Sequence, residues 1–594
     1  MAKEKEDPKD EFDEWYNYAK DGERDWRTQA EEDKDFYWSK QWDASDIAKL
    51  KKEKRPANTY NEIKPIVNFI SGSERQNRID IKVFNRTGGN NQIAEILTIL
   101  IKDIEDQARA PFEYSRVFLD GLIRGKGYVG LNKEYDQDVI NGNITIRRFN
   151  PFNVHFDPAS EKYDKSDAEF CFTESWFTRK KLALLYPDKE EVLKVVSVQP
   201  TERKLLIPAS TGDYEGTRAS LTDIDRYKLL VKNCWYKKWE KIVFLFNEET
   251  GELKQSDVEG NDLNQWLEVQ ARNGINWRVI PDIVQPVLNL KIKVGNVVLE
   301  EMEEPLGNVN KIPIIPYFAY WDEEECQGVI TDLKDPQREI NKRNSQFLHI
   351  LNTLAHAGWL SEEGAQVDPA KYERFGSTPG VNLQYVKGTT KPERIEPAGV
   401  SQGHILAEKI GEDKIRKISG VNPDLLGEMA TRGEPGIVLQ LRQRQGNIVI
   451  EQLYDNWRNT RILIGELLLD MIQKAQTYSE EEIKNIVGRE KIEIQDDIGR
   501  IMNDMTVGRY EVKVDLSATS PTIRLANFNT LVEAAKAGIP IPMDVIIEAF
   551  PDLPNKEKIM ERIKQQEGGA TPSEGTPGAV PEGMPGAPQS PPRL

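Results

Sequence analysis

Side chains that titrate, ligate or attack are sparse in this chain and poorly grouped. Its histidines are His155, His349, His356 and His404. Only His349 and His356 fall close together, two turns apart if that stretch is helical, and a core or interface histidine is the commoner use of such residues. Asp322-Glu323-Glu324-Glu325 is one consecutive acidic run, whereas metal-dependent nucleases take carboxylates from separate strand ends around two ions. It reads as a solvated edge. Cys171, Cys234 and Cys326 show no metal-type or disulfide-type spacing and predict buried, inert thiols. Gly125-Lys126-Gly127 is not followed by the Ser or Thr of a phosphate-binding loop, and the sequence contains no such loop elsewhere. It predicts a turn entering a strand. No catalytic residue, metal or cofactor is expected.

The cation singled out is Lys536, at the end of a predicted helix where the dipole favours positive charge. Ala537, Gly538, Ile539, Pro540 and Ile541 follow it. Gly538 is the expected residue just past the helix end, and Pro540 with Pro542 cannot continue a helix in register, so a stiff exposed loop is forced.

The elements that position these residues belong to a large mixed chain. At 594 residues, and roughly 150 per domain, about three or four folding units are expected. The apolar share of 38% is low and the charged share of 30% high, which suits a solvated assembly. No apolar run approaches the roughly 18 residues that cross a bilayer, and MAKEKEDPKDEFDEWYNYAK lacks the apolar centre of a secretion signal. A protein made and used inside a cell, without a membrane partner, is expected.

Residues 1–55 form an N-terminal arm unusually rich in aromatics for a charged segment: Trp15, Tyr16, Tyr18, Trp26, Phe36, Tyr37, Trp38 and Trp42. Disordered tails lack such residues, so short pieces docked on another surface are expected, a neighbouring subunit being one candidate. From Tyr60 the pattern mixes periods. Ile63, Ile66, Val67 and Ile70 mark one helical face, and Ile93, Ile96, Leu97, Leu100, Ile101 and Ile104 a second. Ile79, Ile81 and Val83 alternate as a half-buried strand does. Asn141-Gly142-Asn143 predicts a hairpin turn, as do Glu249-Thr250-Gly251 and Gly295-Asn296. An α+β body results.

Asp335-Pro336 is a cap and first-turn proline for a helix over 337–356. The longest helix is predicted over about 437–475, roughly 55–60 Å at 1.5 Å per residue, with Gly446 and Gly465 as expected bends. A small α/β segment follows over about 477–516, then a helix from Ser520-Pro521 to Gly538 and short helices over 543–566. From Gly568 the text is Gly, Pro, Ala, Ser and Thr, and predicts disorder.

One stretch is more specific than all of these: SKQWDASDIAKLKKEKRPANTYNEIKPIVNFISGSERQNRIDIKV, residues 39–83. A Gln-Trp pair, Arg55-Pro56, Tyr60-Asn61 opening an apolar helix and Ser71-Gly72-Ser73-Glu74-Arg75-Gln76-Asn77-Arg78 stand in fixed order. It resembles the N-terminal signature of bacteriophage portal proteins, in particular those of short-tailed phages. GVITDLKDPQREINKRN, residues 328–344, and Gly420-Val421-Asn422-Pro423 to Gly427 resemble the family as well. The likeness covers about 500 residues; Glu434-Pro435-Gly436-Ile437 departs from the pattern before the long helix.

The resemblance implies a portal fold: a wing over 56–447, a first stem helix over 448–476, a clip over 477–516, a second stem helix over 517–536, a tunnel loop over 537–543, a reduced crown over 544–567 and a tail over 568–594. It implies a homo-oligomeric ring, commonly a dodecamer, at the unique capsid vertex of a virion after assembly in the host cytoplasm. The viral double-stranded DNA would pass through it during packaging and ejection. The terminase large subunit, a tail adaptor or head-completion protein, and the major capsid and scaffolding proteins would be its partners. Lys536 would lie nearest the DNA, with Ala537, Gly538, Ile539, Pro540 and Ile541 in the tunnel loop. A formal charge of −18 suits a conduit that must not grip a sliding polyanion, and equally suits simple solubility. The alternatives are a DNA-processing enzyme subunit of the packaging machinery, against which the missing phosphate loop argues, or another head–tail adaptor ring.

Overall fold

A computed structural model describes residues 11–86, 91–135, 142–196, 203–205, 227–247, 253–255, 260–272, 277–322, 325–355, 359–376, 378, 380–394, 402–421, 450–474, 510–516, 531–532 and 534–536. The chain divides into two units, Met1–Asp515 and Leu516–Leu594. The first begins with helices α1 (Glu11–Gly22), α2 (Arg24–Tyr37), α3 (Ala44–Lys52) and α4 (Ile63–Gln76), strand β1 (Ile79–Asn85), and helices α5 (Asn91–Gln107) and α6 (Ala110–Arg124). Strands β2 (Lys126–Glu134), β3 (Asn143–Phe149), β4 (Val154–Phe156) and β5 (Phe170–Thr178) follow, then α7 (Arg179–Leu185), α8 (Glu190–Val195), β6 (Arg203–Leu205), β7 (Tyr227–Asn247), β8 (Leu253–Gln255) and α9 (Gly260–Arg272). Next come β9 (Trp277–Val294), β10 (Val297–Glu303), β11 (Ile314–Phe318), β12 (Tyr320–Asp322), β13 (Glu325–Gln327), α10 (Lys334–Ala355), β14 (Trp359–Leu360), α11 (Pro369–Phe375) and β15 (Glu393–Arg394). Helices α12 (Gln402–Ser419) and α13 (Glu451–Lys474) and strand β16 (Tyr510–Leu516), all but its last residue, complete it.

The α+β reading holds. The largest sheet runs β10-β9-β7-β5-β4, with β6 and β8 added on β7; a smaller one runs β11-β2-β3. The hairpin around Gly142 forms with Tyr128 opposite Phe149 and Glu134 opposite Asn143, and the turn at Gly295 joins β9 to β10 with Val294 opposite Val297. β7 and β9 pair far beyond the segments predicted, from Val231–Val294 to Asn247–Trp277.

Ile63, Ile66, Val67 and Ile70 on α4 and Ile93, Leu97, Leu100, Ile101 and Ile104 on α5 are buried in one continuous core, as their spacing predicts. Gly125 closes α6 at φ +82°, a left-handed conformation, and Lys126 opens β2, so this stretch is the predicted strand-entry turn. α10 starts at Lys334, just before the predicted cap, because a short 3-10 turn over Thr331–Leu333 runs into it.

The N-terminal aromatics do dock, but on this chain's own body: Trp15 stacks on Phe170 at 5.2 Å, Phe12 meets Phe172 edge-on at 5.0 Å, and the Trp26 indole donates to the Arg124 carbonyl at 2.8 Å. The described part of the long helix, α13, is enclosed. Leu453, Trp457, Ile464, Leu467, Leu468, Met471 and Ile472 are buried on several faces, because a helix apolar beyond one stripe must be enclosed. Trp457 sits among Tyr317, Phe118 and Tyr114 with ring centroids 5.1, 5.5 and 6.3 Å away.

In the second unit Leu531, Val532, Ala534, Ala535 and Lys536 are helical.

Candidate functional site: where the signature meets the long helix

The two motif stretches read from the sequence, 39–83 and 328–344, converge on one polar clasp. Gln337 and Asn341 lie one turn apart on α10, both fully buried. The Gln337 side chain pairs with backbone as a neighbouring strand would: its Nε2 donates to the Tyr60 carbonyl at 2.5 Å and its Oε1 accepts from the Glu62 N–H at 3.0 Å. Asn341 accepts from the Tyr60 N–H at 3.1 Å and donates to Gln41 Oε1 at 2.7 Å. Gln41 Nε2 in turn donates to the Phe36 carbonyl at 3.0 Å. Asn61 binds the end of α2 through donations to the Phe36 and Tyr37 carbonyls at 3.2 and 3.1 Å, while its Oδ1 caps α4 by accepting from the Lys64 N–H at 3.1 Å.

The second half of the signature is locked to α13. Tyr454 donates to the Ile70 carbonyl at 3.0 Å, and Arg461 donates to the Ile79 carbonyl at 3.1 Å and to Glu105 at 2.9 Å. The Arg461 guanidinium also lies over the Tyr114 ring, 3.8 Å from its centre. Burial opposes the charge on Arg461, but Tyr114 and Glu105 outweigh it and its pKa is held up. Burial raises the Glu74 carboxyl, against the pull of its Ser115 hydrogen bond (2.9 Å) and of Arg78, Arg461 and Arg75. Arg75, Gln76, Asn77 and Arg78 themselves are exposed.

Gly465 of α13, expected as a bend, is a point of close approach. A Cβ there would meet Val512 at 2.6 Å and Ile81 at 2.8 Å. β16, from the segment read as the end of a clip, pairs with β1 of the signature in a two-stranded sheet.

A second cluster, which sequence reasoning missed, fixes α1 and α2 to the large sheet. Fully buried His155 on β4 has Nε2 2.9 Å from Glu174 and Nδ1 3.2 Å from Glu23, with Arg27 Nη2 3.1 Å from Nδ1. Tyr16 donates to Glu174 at 2.6 Å, and Lys126 lies 3.6 Å from Glu23. Burial works against the imidazolium, yet the Glu174 and Glu23 hydrogen bonds outweigh it and raise the His155 pKa. Burial likewise opposes ionised Glu23, but Lys126, His155 and Arg27 together depress its pKa. The only signal in the sequence was the aromatic, acidic text of residues 11–37.

The remaining candidates are not brought together. Lys536 is exposed at the end of the described helical residues of the second unit, and Ala537, Gly538, Ile539, Pro540 and Ile541 fall outside the described residues. His349 lies on α10 and His404 on α12; His356 is outside the described residues. Asp322 and Glu325 face each other across the β12–β13 hairpin, with Glu323 and Glu324 outside the described residues. Among the described residues no group of three or more His, Cys, Asp or Glu could hold a metal, and no helix is long and apolar enough to cross a membrane. Cys171 and Cys234 are buried, and burial pushes their thiols up.

The arrangement is thus a set of polar locks that join distant parts of the chain. No curated protein matches the chain. The model of the phage P22-like portal protein family matches residues 13–593, nearly its whole length, and the chain belongs to that family.

Proposed function

We propose that copies of this chain close a ring at one capsid vertex and form the channel through which the viral double-stranded DNA is packaged and ejected. The terminase large subunit docks on the ring during packaging and adaptor proteins dock later; capsid and scaffolding proteins surround it. The single observation that carries this reading is the family match over residues 13–593. The signature stretch adds weight, because its residues hold α2, α4, α10 and α13 together as one body that a ring contact can load without distortion. In this reading Lys536 and the loop 537–543 approach the DNA, the lysine touching phosphates weakly enough to let the duplex slide. The chain itself has no catalytic turnover; the motor is a separate protein.

Measured mass in solution, electron microscopy down the symmetry axis and ATP hydrolysis test it on one purified sample. A large ring with a central opening and no turnover is expected. A single copy, or ATP hydrolysis by the chain, overturns it. Lys536→Ala should change packaging or genome retention; unchanged values for both would remove Lys536 from the channel.

A further inference from the structure

Two surfaces near the N-terminus carry opposite charge that the other described residues leave unneutralised. Residues 11–37 hold ten carboxylates against four cations. Glu11, Glu14, Tyr18 and Asp21 recur three or four residues apart along the solvent side of α1, away from buried Phe12, Tyr16 and Ala19. Tyr18 is 54% exposed. Among the described residues, Glu11, Glu14 and Asp21 make no ion pair.

The opposite sign gathers at the end of α3. Residues 49–55 carry five cations and one carboxylate. Lys51, Lys52 and Lys54 are exposed and make no ion pair among the described residues. Ile47, one turn before Lys51 on the same face, is 44% exposed. Beside them a groove of about 530 Å³ runs between α3 and α10.

We propose that the acidic Tyr18 face of α1 in one copy docks on the surface that Ile47 and Lys51 of α3 form with Lys54, just beyond the helix end, in the next. The inference rests on the ring reading above and names one of its contacts. Two different patches, each complementary to the other and not to itself, define a head-to-tail interface, the kind that closes into a ring when the rotation allows. Tyr18 supplies an aromatic anchor and Ile47 the apolar surface for it, with the carboxylates and lysines as the charged rim.

A nucleic acid is the other polyanion that lysines attract, but the adjoining groove argues against it. Asp46, Glu53, Asp335 and Glu339 line it between Lys49, Arg55, Arg338, Lys342 and Arg343, so its cations already have carboxylate partners within ion-pair reach. A continuous phosphate backbone would meet those carboxylates, whereas a helix with spaced acids and a tyrosine need not.

The test uses the full chain and a charge swap. Lys51→Glu/Lys52→Glu/Lys54→Glu and, separately, Glu14→Lys/Asp21→Lys are compared with wild type by sedimentation velocity at about 0.15 M and about 1 M salt. Thermal unfolding checks that both variants keep the fold. Each reversed face should lower the assembled fraction by at least about tenfold at the lower salt, and combining both sets should restore it. Tyr18→Ala should weaken assembly without changing its salt dependence. If wild type assembles and the reversed variants assemble equally well, or the combined variant is worse than either, this contact is wrong while the ring reading stands. If wild type stays a single copy in every condition, both fail. A labelled DNA duplex is added in parallel: if the lysine variant loses duplex binding while assembly is unchanged, the lysines serve nucleic acid and the proposal is overturned.

Discussion

Gln337→Ala is the sharpest probe of how the signature is held. The side chain is fully buried and serves two backbone groups at once, the Tyr60 carbonyl at 2.5 Å and the Glu62 N–H at 3.0 Å. Truncation leaves both without that partner in a space too enclosed for easy rehydration. Each orphaned group costs about 1–3 kcal/mol, and Asn341 also loses the weaker donation at 3.3 Å. A loss of about 2–4 kcal/mol is expected for the cooperative unit containing the clasp. Urea unfolding followed by tryptophan fluorescence should show the midpoint fall with the slope unchanged. Hydrogen exchange should show the Glu62 amide opening with the same penalty. Asn341→Ala provides a cycle: the two side chains share Tyr60, so the double variant should depart from additivity by about 0.5 kcal/mol or more. If Gln337→Ala unfolds within about 0.5 kcal/mol of wild type, or the two substitutions simply add, the clasp is not what fixes this stretch.

Other outcomes follow from the same geometry. His155 has a raised pKa in the fold, so its contribution is complete below the ordinary histidine value of 6.5 and fades as pH climbs through the raised value; Glu23 and Glu174 are depressed, so theirs is present above 4.5 and fades on acidification. Docking of α1 and α2, read by proteolysis near Gly22, should therefore weaken on both sides of neutrality, and His155→Gln should abolish the alkaline limb; an unchanged alkaline limb refutes the assignment. Gly465→Ala should gain roughly 1 kcal/mol from helix propensity alone, but contacts of 2.6 and 2.8 Å to Val512 and Ile81 should turn this into a net loss of about 1–3 kcal/mol in chemical unfolding. Trp457→Ala, which empties the space between Phe118 and Tyr317, should cost about 3–5 kcal/mol by the same measurement.

Periodicity made the α4 and α5 faces and the Gly142 and Gly295 hairpins legible, because each depends on residues within one or two turns. What stayed hidden depends on partners far away in sequence. Gly465 looked like a bend because glycine weakens helices; only the placement of Ile81 and Val512 shows that the position needs a missing Cβ. The apolar positions of α13 announced a helix, but its enclosure depends on β11, β1 and α5 packing around it. His155 looked idle since its carboxylates, Glu23 and Glu174, come from α1–α2 and β5. The motif stretches were recognisable as a pair, yet their hydrogen-bonded contact was not, since nothing in residues 328–344 says that Gln337 will pair with backbone some 275 residues earlier.

That contact explains why the 39–83 stretch carries so many unusual residues. Most positions in a core answer to one neighbour class and tolerate volume-conserving exchange. Here Asn61 must both receive the α4 N-terminus and donate to the end of α2, Gln337 must donate and accept within one amide, and Asn341 must do the same between Tyr60 and Gln41. An amide offers donor and acceptor on separate atoms of one planar group, so Asp or Glu satisfies half of such a site and an apolar isostere none of it. Arg461 extends the same logic to α13: it ties Ile79, the first residue of β1, to the buried carboxylate of Glu105, and replacing it would strand that charge. A force applied through β16 therefore reaches β1 and α13 directly, and through α4 it reaches the clasp on α10. Rigidity along that route is what a subunit needs if contacts made by one of its segments are to be felt by the others.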